Sequence, residues 1–254
     1  MNDGKVPVEP LIVGPDGYLY GVTEFGGANS GGVAYKLNPV NHKVTIVHAF
    51  SGSGLNYPYS LLLGQDGNFY GVAGGNSRTA IFKMTPAGRV TTLNTFTNSP
   101  INLSLMQASD GNFYGTTQLA DTGANRYGVV FKMTGTPPSM TVTILHSFGQ
   151  GNDGRFPDGP LVLAPNGNLY GETEAGGTGP DIDGDGTIYE ISTDGSTYTV
   201  VHNFNDGSIP NDGSEPEGGL TLGPDNNLYG ATFAGGAYGP EPSIRLGTLF
   251  RVTP

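Results

Sequence analysis

This sequence predicts an all-β fold made of repeated four-stranded antiparallel units, and three observations support the prediction. Short apolar runs such as VAYKL and VTIVHAF are rich in β-branched and aromatic residues. The 43 glycines and 19 prolines punctuate these runs and mark turns between them. No window keeps the apolar period of an amphipathic helix, so we expect essentially no helix.

A hexapeptide motif recurs five times and divides the chain into copies. It reads DGYLYG, DGNFYG, DGNFYG, NGNLYG and DNNLYG. The sequence of residues 152–177 also aligns with that of residues 2–27 without a gap. A repeat of this length is typical of folds in which each copy is one supersecondary unit. The tyrosines of the motif are 50, 44, 56 and 59 residues apart, at Tyr20, Tyr70, Tyr114, Tyr170 and Tyr229.

Each of the first four copies contains four apolar runs, which we interpret as strands a to d. In the first copy these strands cover residues 11–14, 18–23, 32–37 and 44–50. The Asp-Gly pair between strands a and b signals a hairpin turn, because glycine adopts positive φ at little cost. Repeated four-stranded antiparallel units of this size are typical of a β-propeller. We predict one five-bladed β-propeller domain over residues 1–254, with blades at 11–50, 61–96, 105–148, 161–204 and 220–254.

The fifth copy stops after its strand c, in the text GTLFRVTP at residues 247–254. The last blade is therefore expected to lack its own outer strand. Three explanations stay open: a three-stranded last blade, a strand that belongs to a longer parent protein, or an edge shared with another chain. The first two are favoured, although an uncovered strand edge invites pairing.

The text DGNFYGTT (110–117), followed by a glycine-containing loop and GVVFKM (128–133), resembles the GloVer-type, choice-of-anchor tandem repeat of bacterial proteins. The resemblance extends over all five copies and so over nearly the whole chain. Proteins of this type often carry surface-anchoring or secretion signals, so the resemblance implies a secreted or cell-surface location. It implies no activity, because function depends on sites built upon a fold.

Composition and charge limit the partners of the protein. The formal net charge of −11 and the pI near 4.5 argue against nucleic acid and anionic membranes, and they are compatible with cations. Cysteine is absent, which excludes disulfides and thiol chemistry. No apolar run is long enough for membrane insertion as a helix, and the first residues, MNDGKVPV, lack the features of a signal peptide. We expect a monomer.

Loop lengths indicate which side of the blades carries a site. Measured between aromatic markers, the b-to-c connections vary from 12 to 21 residues and the d-to-a connections from 18 to 25. Both leave the blades on one face, which is also acidic, and binding residues favour variable loops on a rigid scaffold. We predict that this face binds a ligand through Asp3, Asp153 and Asp212 of the NDG motifs and through Glu24. The alternative is that the NDG motifs only form turns.

The segment DIDGDGTIYE (181–190) contains the sharpest metal-binding pattern. Asp181, Asp183 and Asp185, followed by a glycine, match the start of a calcium loop. The match is partial, because Ser192 stands where such a loop carries a bidentate acid. We therefore predict a Ca²⁺ site at these three aspartates, with a solvated acidic loop as the alternative.

Glu172 departs from the repeat, whose other copies carry Val22, Val72, Thr116 and Ala231 at this position. Glu172 and Glu174 lie on one face of a strand, since side chains alternate with a period of two. A pair of carboxyl groups can perform general acid–base catalysis, so Glu172 and Glu174 are the candidate catalytic residues. The alternative is an acidic surface pair.

Two classes of function follow. The first is an extracellular or cell-surface propeller that binds a glycan or small polar ligand on its acidic face, with Ca²⁺ ordering the loops. The alternative is a hydrolase on the same face, either a glycosidase with two carboxylates or a metal-dependent esterase, lactonase or phosphotriesterase. A purely structural repeat is the third possibility. The fourth copy alone carries Glu172 and DIDGDG. A single asymmetric site is more typical of an enzyme or a one-ligand pocket than of a multivalent lectin, so the hydrolase hypothesis ranks just behind the binding module.

Overall fold

The computed structural model describes residues 3–51, 55–75, 78–97, 103–118, 127–179, 185–236 and 246–254. Within these ranges the chain forms twenty β-strands and no helix, as the sequence predicted. None of these described residues belongs to a helix that could cross a membrane.

Four antiparallel sheets each contain four strands in chain order. The first holds β1 (Gly4–Val13), β2 (Leu19–Gly26), β3 (Val33–Leu37) and β4 (Val44–Ala49). The second holds β5 (Pro58–Leu63), β6 (Phe69–Gly75), β7 (Arg78–Met84) and β8 (Val90–Thr97). The third holds β9 (Leu103–Gln107), β10 (Phe113–Thr117), β11 (Val129–Thr136) and β12 (Ser139–Ser147). The fourth holds β13 (Gly154–Leu163), β14 (Leu169–Gly176), β15 (Thr187–Ile191) and β16 (Tyr198–Asn203).

The fifth sheet differs from the other four. Its first strand is split into β17 (Gly213–Pro216) and β18 (Thr221–Leu222), which both pair with β19 (Leu228–Gly235). The last strand, β20 (Leu249–Val252), pairs with the other edge of β19. No further strand pairs with β20 in the part of the chain that the structure describes. The five sheets are the blades of a β-propeller whose last blade has no outer strand within the described ranges, which confirms the predicted fold.

A local hydrogen bond from the tyrosine to the aspartate of the hexapeptide motif forms in the first, second and fifth copies. In the first copy the hydroxyl of Tyr20 donates to Asp16 Oδ2 at 2.9 Å, four residues earlier in the turn. The same bond joins Tyr70 to Asp66 at 3.0 Å, and Gly17 between the first pair adopts a φ of 76°. The aspartate thus satisfies a largely buried tyrosine while forming the turn. This part of the repetition serves the fold.

Residues with positive φ connect the first strand of a sheet to the sheet before it. Tyr57, Phe156 and Glu215 have φ angles of 56°, 57° and 57°. Placing a residue other than glycine at positive φ costs about 1 kcal/mol of conformational energy. This conformation also rotates the backbone N–H so that it points out of its own sheet. Each N–H donates to a carbonyl in the loop between the second and third strands of the preceding sheet, on Gly31 (2.7 Å), Tyr127 (2.9 Å) and Asp185 (2.9 Å) respectively.

The chain forms two compact units, of which the first contains residues 1–113 and 133–142. Its core is aromatic and joins the first two sheets. The ring centroids of Tyr20 and Phe69 are 4.2 Å apart, and those of Phe50 and Phe82 are 5.2 Å apart. All four side chains are fully buried, so these contacts hold the two sheets face to face.

The second unit contains residues 114–132 and 143–254. Its core repeats the same scheme. Phe148, which follows the third sheet, packs edge-on against Tyr189 of the fourth at 5.1 Å. Phe204, which follows the fourth sheet, packs against Phe250 of the fifth at 5.1 Å. In both pairs the phenylalanine after an outer strand contacts the third strand of the next sheet.

Candidate functional site

Glu172 lies in the middle of β14, where the fourth sheet departs from the first. The register pairs Glu172 with Asp158 of β13, whereas the equivalent pair in the first sheet is Val8 and Val22. Two facing apolar residues of the repeat are thus replaced together by two carboxyl groups. The exposure of Glu172 is 1%, so this carboxyl group occupies a position built for a valine.

The break between β17 and β18 supplies hydrogen bonds to both carboxyl groups. Gly219 N–H donates to Glu172 Oε1 at 2.7 Å, and Gly218 N–H donates to Asp158 Oδ2 at 3.2 Å. Both glycines adopt positive φ, 96° for Gly218 and 83° for Gly219, which turns two consecutive amides toward the fourth sheet. The second carboxylate oxygen of Glu172, Oε2, is buried and has no hydrogen-bond partner among the described residues.

Further acids surround this pair, and we call the cluster the acidic junction. It lies between the fourth and fifth sheets, inside the second unit. Its members are Asp158, Glu172, Glu174, Glu215 and Glu217. Burial, reinforced by the charges of Asp158 and Glu217, raises the pKa of Glu172 to about 7, although the Gly219 amide acts in the opposite direction. Desolvation and the charges of Glu174, Asp158 and Glu215 also raise the pKa of Glu217.

Glu174, the predicted partner of Glu172, lies two residues further along β14 and is half-buried. Its Oε2 accepts a hydrogen bond from Gln118 Nε2 at 3.2 Å. The residue directly opposite Glu172 is Asp158, which we did not predict as a site residue. Comparison of the copies contained a signal for it, because residues 152–177 align with residues 2–27 and set Asp158 against Val8.

Tyr189 of β15 lies behind the acidic junction. Its ring is fully buried, and its hydroxyl has no hydrogen-bond partner among the described residues. Burial, together with the charges of Glu172 and Asp153, raises the pKa of this phenol. A neutral phenol carries no positive charge, so Tyr189 does not offset the desolvation of the Glu172 carboxylate.

Two of the predicted ligand-binding aspartates are engaged with histidines of the preceding outer strand. Asp153 Oδ2 lies 2.8 Å from His146 Nε2, and Asp212 Oδ2 lies 2.9 Å from His202 Nε2. Their other oxygens accept the N–H of the following glycine at 2.7 Å and 2.9 Å. These bonds give His146 and His202, and the NDG motifs that contain Asp153 and Asp212, a structural role.

The other predicted ligand-binding residues lie in the first sheet and its loops. Asp3 is exposed, and its carbonyl oxygen accepts the N–H of Gly27 at 3.0 Å. Glu24 is half-buried at the equivalent of Glu174. Both belong to the first unit, whereas the acidic junction belongs to the second.

The predicted calcium site falls mostly outside the described residues. Asp181 and Asp183 are among the residues that the structure does not describe. Asp185 is buried, and its carbonyl oxygen accepts the N–H of Glu215 at 2.9 Å. Within the described ranges no group of three histidine, aspartate or glutamate side chains has the geometry to hold a metal ion. The Ca²⁺ site stays a prediction.

Solved structures with the same fold are similar to this chain at low sequence identity. The virginiamycin B lyase of Staphylococcus aureus is 15% identical, with 99% of this chain and 71% of that chain covered and a TM-score of 0.57. A gluconolactonase of Xanthomonas campestris is 11% identical, with 90% and 68% covered and a TM-score of 0.54. PorZ, a surface component of the type-IX secretion system of Porphyromonas gingivalis, is 13% identical, with 96% and 32% covered and a TM-score of 0.60. These likenesses show the β-propeller fold alone.

Sequence comparison gives the family. No curated protein matches the chain. The family model of the Gloeobacter/Verrucomicrobia repeat matches residues 1–104 and again residues 100–254, so that two adjoining matches cover the whole chain. The tandem-repeat resemblance carried by the DGNFYG motif is confirmed, and this chain belongs to the Gloeobacter/Verrucomicrobia repeat family.

Proposed function

We propose that the acidic junction binds a small neutral polar ligand, of the class of sugars and sugar lactones, and that Glu172 exchanges a proton with it during hydrolysis. One observation carries the proposal: Glu172 is fully buried, has one oxygen without a partner among the described residues, and has a pKa of about 7. A carboxyl group with this pKa is present in both protonation states near neutral pH, which suits a general acid or base.

The hydrogen bonds of Glu172 assign separate tasks to its two oxygens. Oε1 accepts the Gly219 N–H, which fixes the orientation of the carboxyl group. Oε2 then carries the exchangeable proton and gives it to the leaving oxygen of an ester, lactone or glycoside. Asp158 or Glu217 accepts the proton that the attacking water loses. Glu172 then acts as the general acid and the accepting carboxylate as the general base.

The similar structures support this proposal only through the fold. Two of them are named as a lyase and a gluconolactonase, so chemistry on cyclic esters occurs on β-propellers. Because identity is 15% or less, no catalytic residue of theirs is transferred to this chain. The secreted or cell-surface location, the Ca²⁺ requirement, the monomeric state and the absence of nucleic-acid partners stay predictions.

Binding without turnover is the second candidate, and the two glycine amides favour it. They tie Glu172 and Asp158 to the fifth sheet, so the carboxyl groups are held in one orientation whether or not a reaction occurs. A rigid pair of acceptors is suited to the hydroxyl groups of a sugar. The two candidates use the same residues and differ in whether the proton of Glu172 is transferred.

The test is a hydrolysis screen with lactones, esters, glycosides and phosphotriesters on wild-type protein and on Glu172→Gln. Glutamine keeps a carbonyl acceptor for the Gly219 N–H but cannot transfer the proton. We expect wild-type turnover to show a pH inflection near 7. In the variant the turnover rate should fall by at least about 100-fold. Glu190→Gln is the matched control, because Glu190 lies on β15 outside the acidic junction and accepts hydrogen bonds from Asn166 and Asn168.

Turnover that survives within a few-fold in Glu172→Gln would contradict the catalytic role. No turnover, with sugar binding that is weakened in Glu172→Gln and unchanged in Glu190→Gln, would establish the binding module instead. A repetition of the screen on chelated protein, with and without added Ca²⁺, tests the predicted metal site in the same experiment.

A further inference from the structure

The outer edge of β20 is exposed where the other sheets are covered. Leu249 is 90% exposed, whereas the equivalent residues Ile81 and Ile188 are both 0% exposed. Phe250 is also partly exposed, although Phe82 and Tyr189 at the same position are fully buried. The third strand of the fifth sheet therefore presents an apolar surface that the repeat normally buries.

A cleft of about 350 Å³ lies beside this edge, inside the second unit. One wall is formed by Ile188, Val201 and His202 of the fourth sheet, and the other by residues 249–252. The cleft is thus bounded by the outer strand of one sheet and by the third strand of the next. It lies at the position that a fourth strand of the fifth sheet would occupy.

Elsewhere in the chain this position is filled by the outer strand of the following sheet. The ring of Tyr198, on the outer strand of the fourth sheet, stacks on His146 of the third at 3.7 Å and an interplanar angle of 3°. In the first unit the carbonyl of Gly88, just before β8, lies 3.0 Å from His48 Nδ1 of the first sheet. His202 is the next histidine in this series, and it lines the cleft.

We propose that β20 binds, as a fourth strand, an extended segment with the outer-strand pattern of this repeat. That pattern is [VY]-T-x-[VL]-[HN]-x-F in all four copies present, at residues 44–50, 90–96, 142–148 and 198–204. The occupant is therefore a strand of this repeat type, with threonine and β-branched residues that suit a strand and a terminal phenylalanine. It pairs by backbone hydrogen bonds, and its side chains fill the cleft.

The three complete ladders of this kind fix the register. Ile81 faces Asn94 and Phe82 faces Thr92, with a bulge between them, and the first and fourth sheets have the same bulge. By equivalence, the incoming histidine or asparagine faces Leu249, and the residue two places before it faces Phe250. In the first, third and fourth sheets the phenylalanine N–H donates to a glycine carbonyl, at 2.9 Å between Phe50 and Gly32, so Gly247 is the expected acceptor here.

The chain itself offers a matched test. Val252-Thr253-Pro254 corresponds to Met84-Thr85-Pro86, after which the second copy continues with AGRVTTLNTF, residues 87–96. This segment is fused after residue 254 of the full chain. We expect the Tm to rise by about 5 °C or more, and the amide hydrogens of β20 to exchange at least about tenfold more slowly. The control fusion carries Leu93→Ser and Phe96→Ser in the added copy only.

Three results would overturn the proposal. Equal Tm values for the fusion and its control would show that the edge takes no such strand. Slow exchange of the β20 amides in the unextended chain would mean that another segment already covers the edge. An unextended chain that sediments as a dimer, and becomes monomeric in the fusion, would assign the edge to a second copy of the protein.

Discussion

Replacement of Glu172 by glutamine is expected to abolish a pH dependence of stability that the buried carboxyl group creates. The pKa of Glu172 rises from 4.5 to about 7 in the folded protein. Between these values the folded protein holds a proton that the unfolded chain has released. The stabilising effect is therefore complete below pH 4.5 and is lost as the pH rises through 7.

The magnitude follows from the shift. Each pH unit between 4.5 and 7 changes the free energy of unfolding by about 1.4 kcal/mol, which gives about 3 kcal/mol in total and about 2.5 kcal/mol between pH 5 and pH 8.5. Glutamine is neutral throughout, so the variant lacks this loss. Other shifted groups, such as His48 with its lowered pKa, are present in both proteins and cancel in the difference.

The assay is urea unfolding of wild type and Glu172→Gln at several pH values from 5 to 8.5. The wild-type free energy of unfolding should fall relative to that of the variant by about 2.5 kcal/mol across this range. Glu190→Gln should stay parallel to the wild type. A difference between wild type and Glu172→Gln that stays constant within about 0.5 kcal/mol would refute the reasoning, because Glu172 would then be ionised and compensated throughout.

Three further tests, which use five substitutions, probe the packing in and near the acidic junction by urea unfolding. Tyr189→Phe removes a buried hydroxyl that has no partner among the described residues, so it should stabilise the protein by about 1 kcal/mol. Tyr170→Phe removes a hydroxyl that accepts a hydrogen bond from Asn166, so it should destabilise the protein by a similar amount. Equal effects of the two variants would contradict this. Gly218→Ala should cost about 1 kcal/mol through its positive φ alone, and Gly219→Ala should cost more, because its Cβ would lie 2.6 Å from Pro160 Cδ; a smaller loss for Gly219→Ala would count against the contact. Asp153→Ala should cost about 2–3 kcal/mol, because it breaks the bonds of a buried carboxylate to His146 and to the Gly154 N–H, and a loss under about 0.5 kcal/mol would show that these bonds contribute little.

The fold could be predicted from the sequence because its main signals are local. The bond between Tyr20 and Asp16 spans four residues, so in the first, second and fifth copies the hexapeptide motif contains both partners of this interaction. The alternation of apolar runs and turns has the same local character. The first strands could not be bounded in this way: β1 begins at Gly4, well before the LIVG run, because a bulge after Val8 separates its two paired segments.

The candidate site was predictable only in part. Glu172 could be recognised because the other copies carry an apolar or hydroxyl residue at its position. Its neighbours depend on the register across β13 and on contacts between sheets, which no local pattern encodes. The amides of Gly218 and Gly219 reach the carboxyl groups only because the first strand of the fifth sheet is broken at that point.

The positive-φ residues at the start of the first strands have a consequence for how such a chain can grow. Tyr57, Phe156 and Glu215 each supply the donor half of a joint, and the loop of the preceding copy supplies the acceptor half. One copy of the repeat therefore encodes a donor N–H in its first strand, for the preceding copy, and an acceptor loop for the copy that follows. Duplication of a single copy inserts a blade with both halves in place, so blade number can change in evolution without the invention of a new interface.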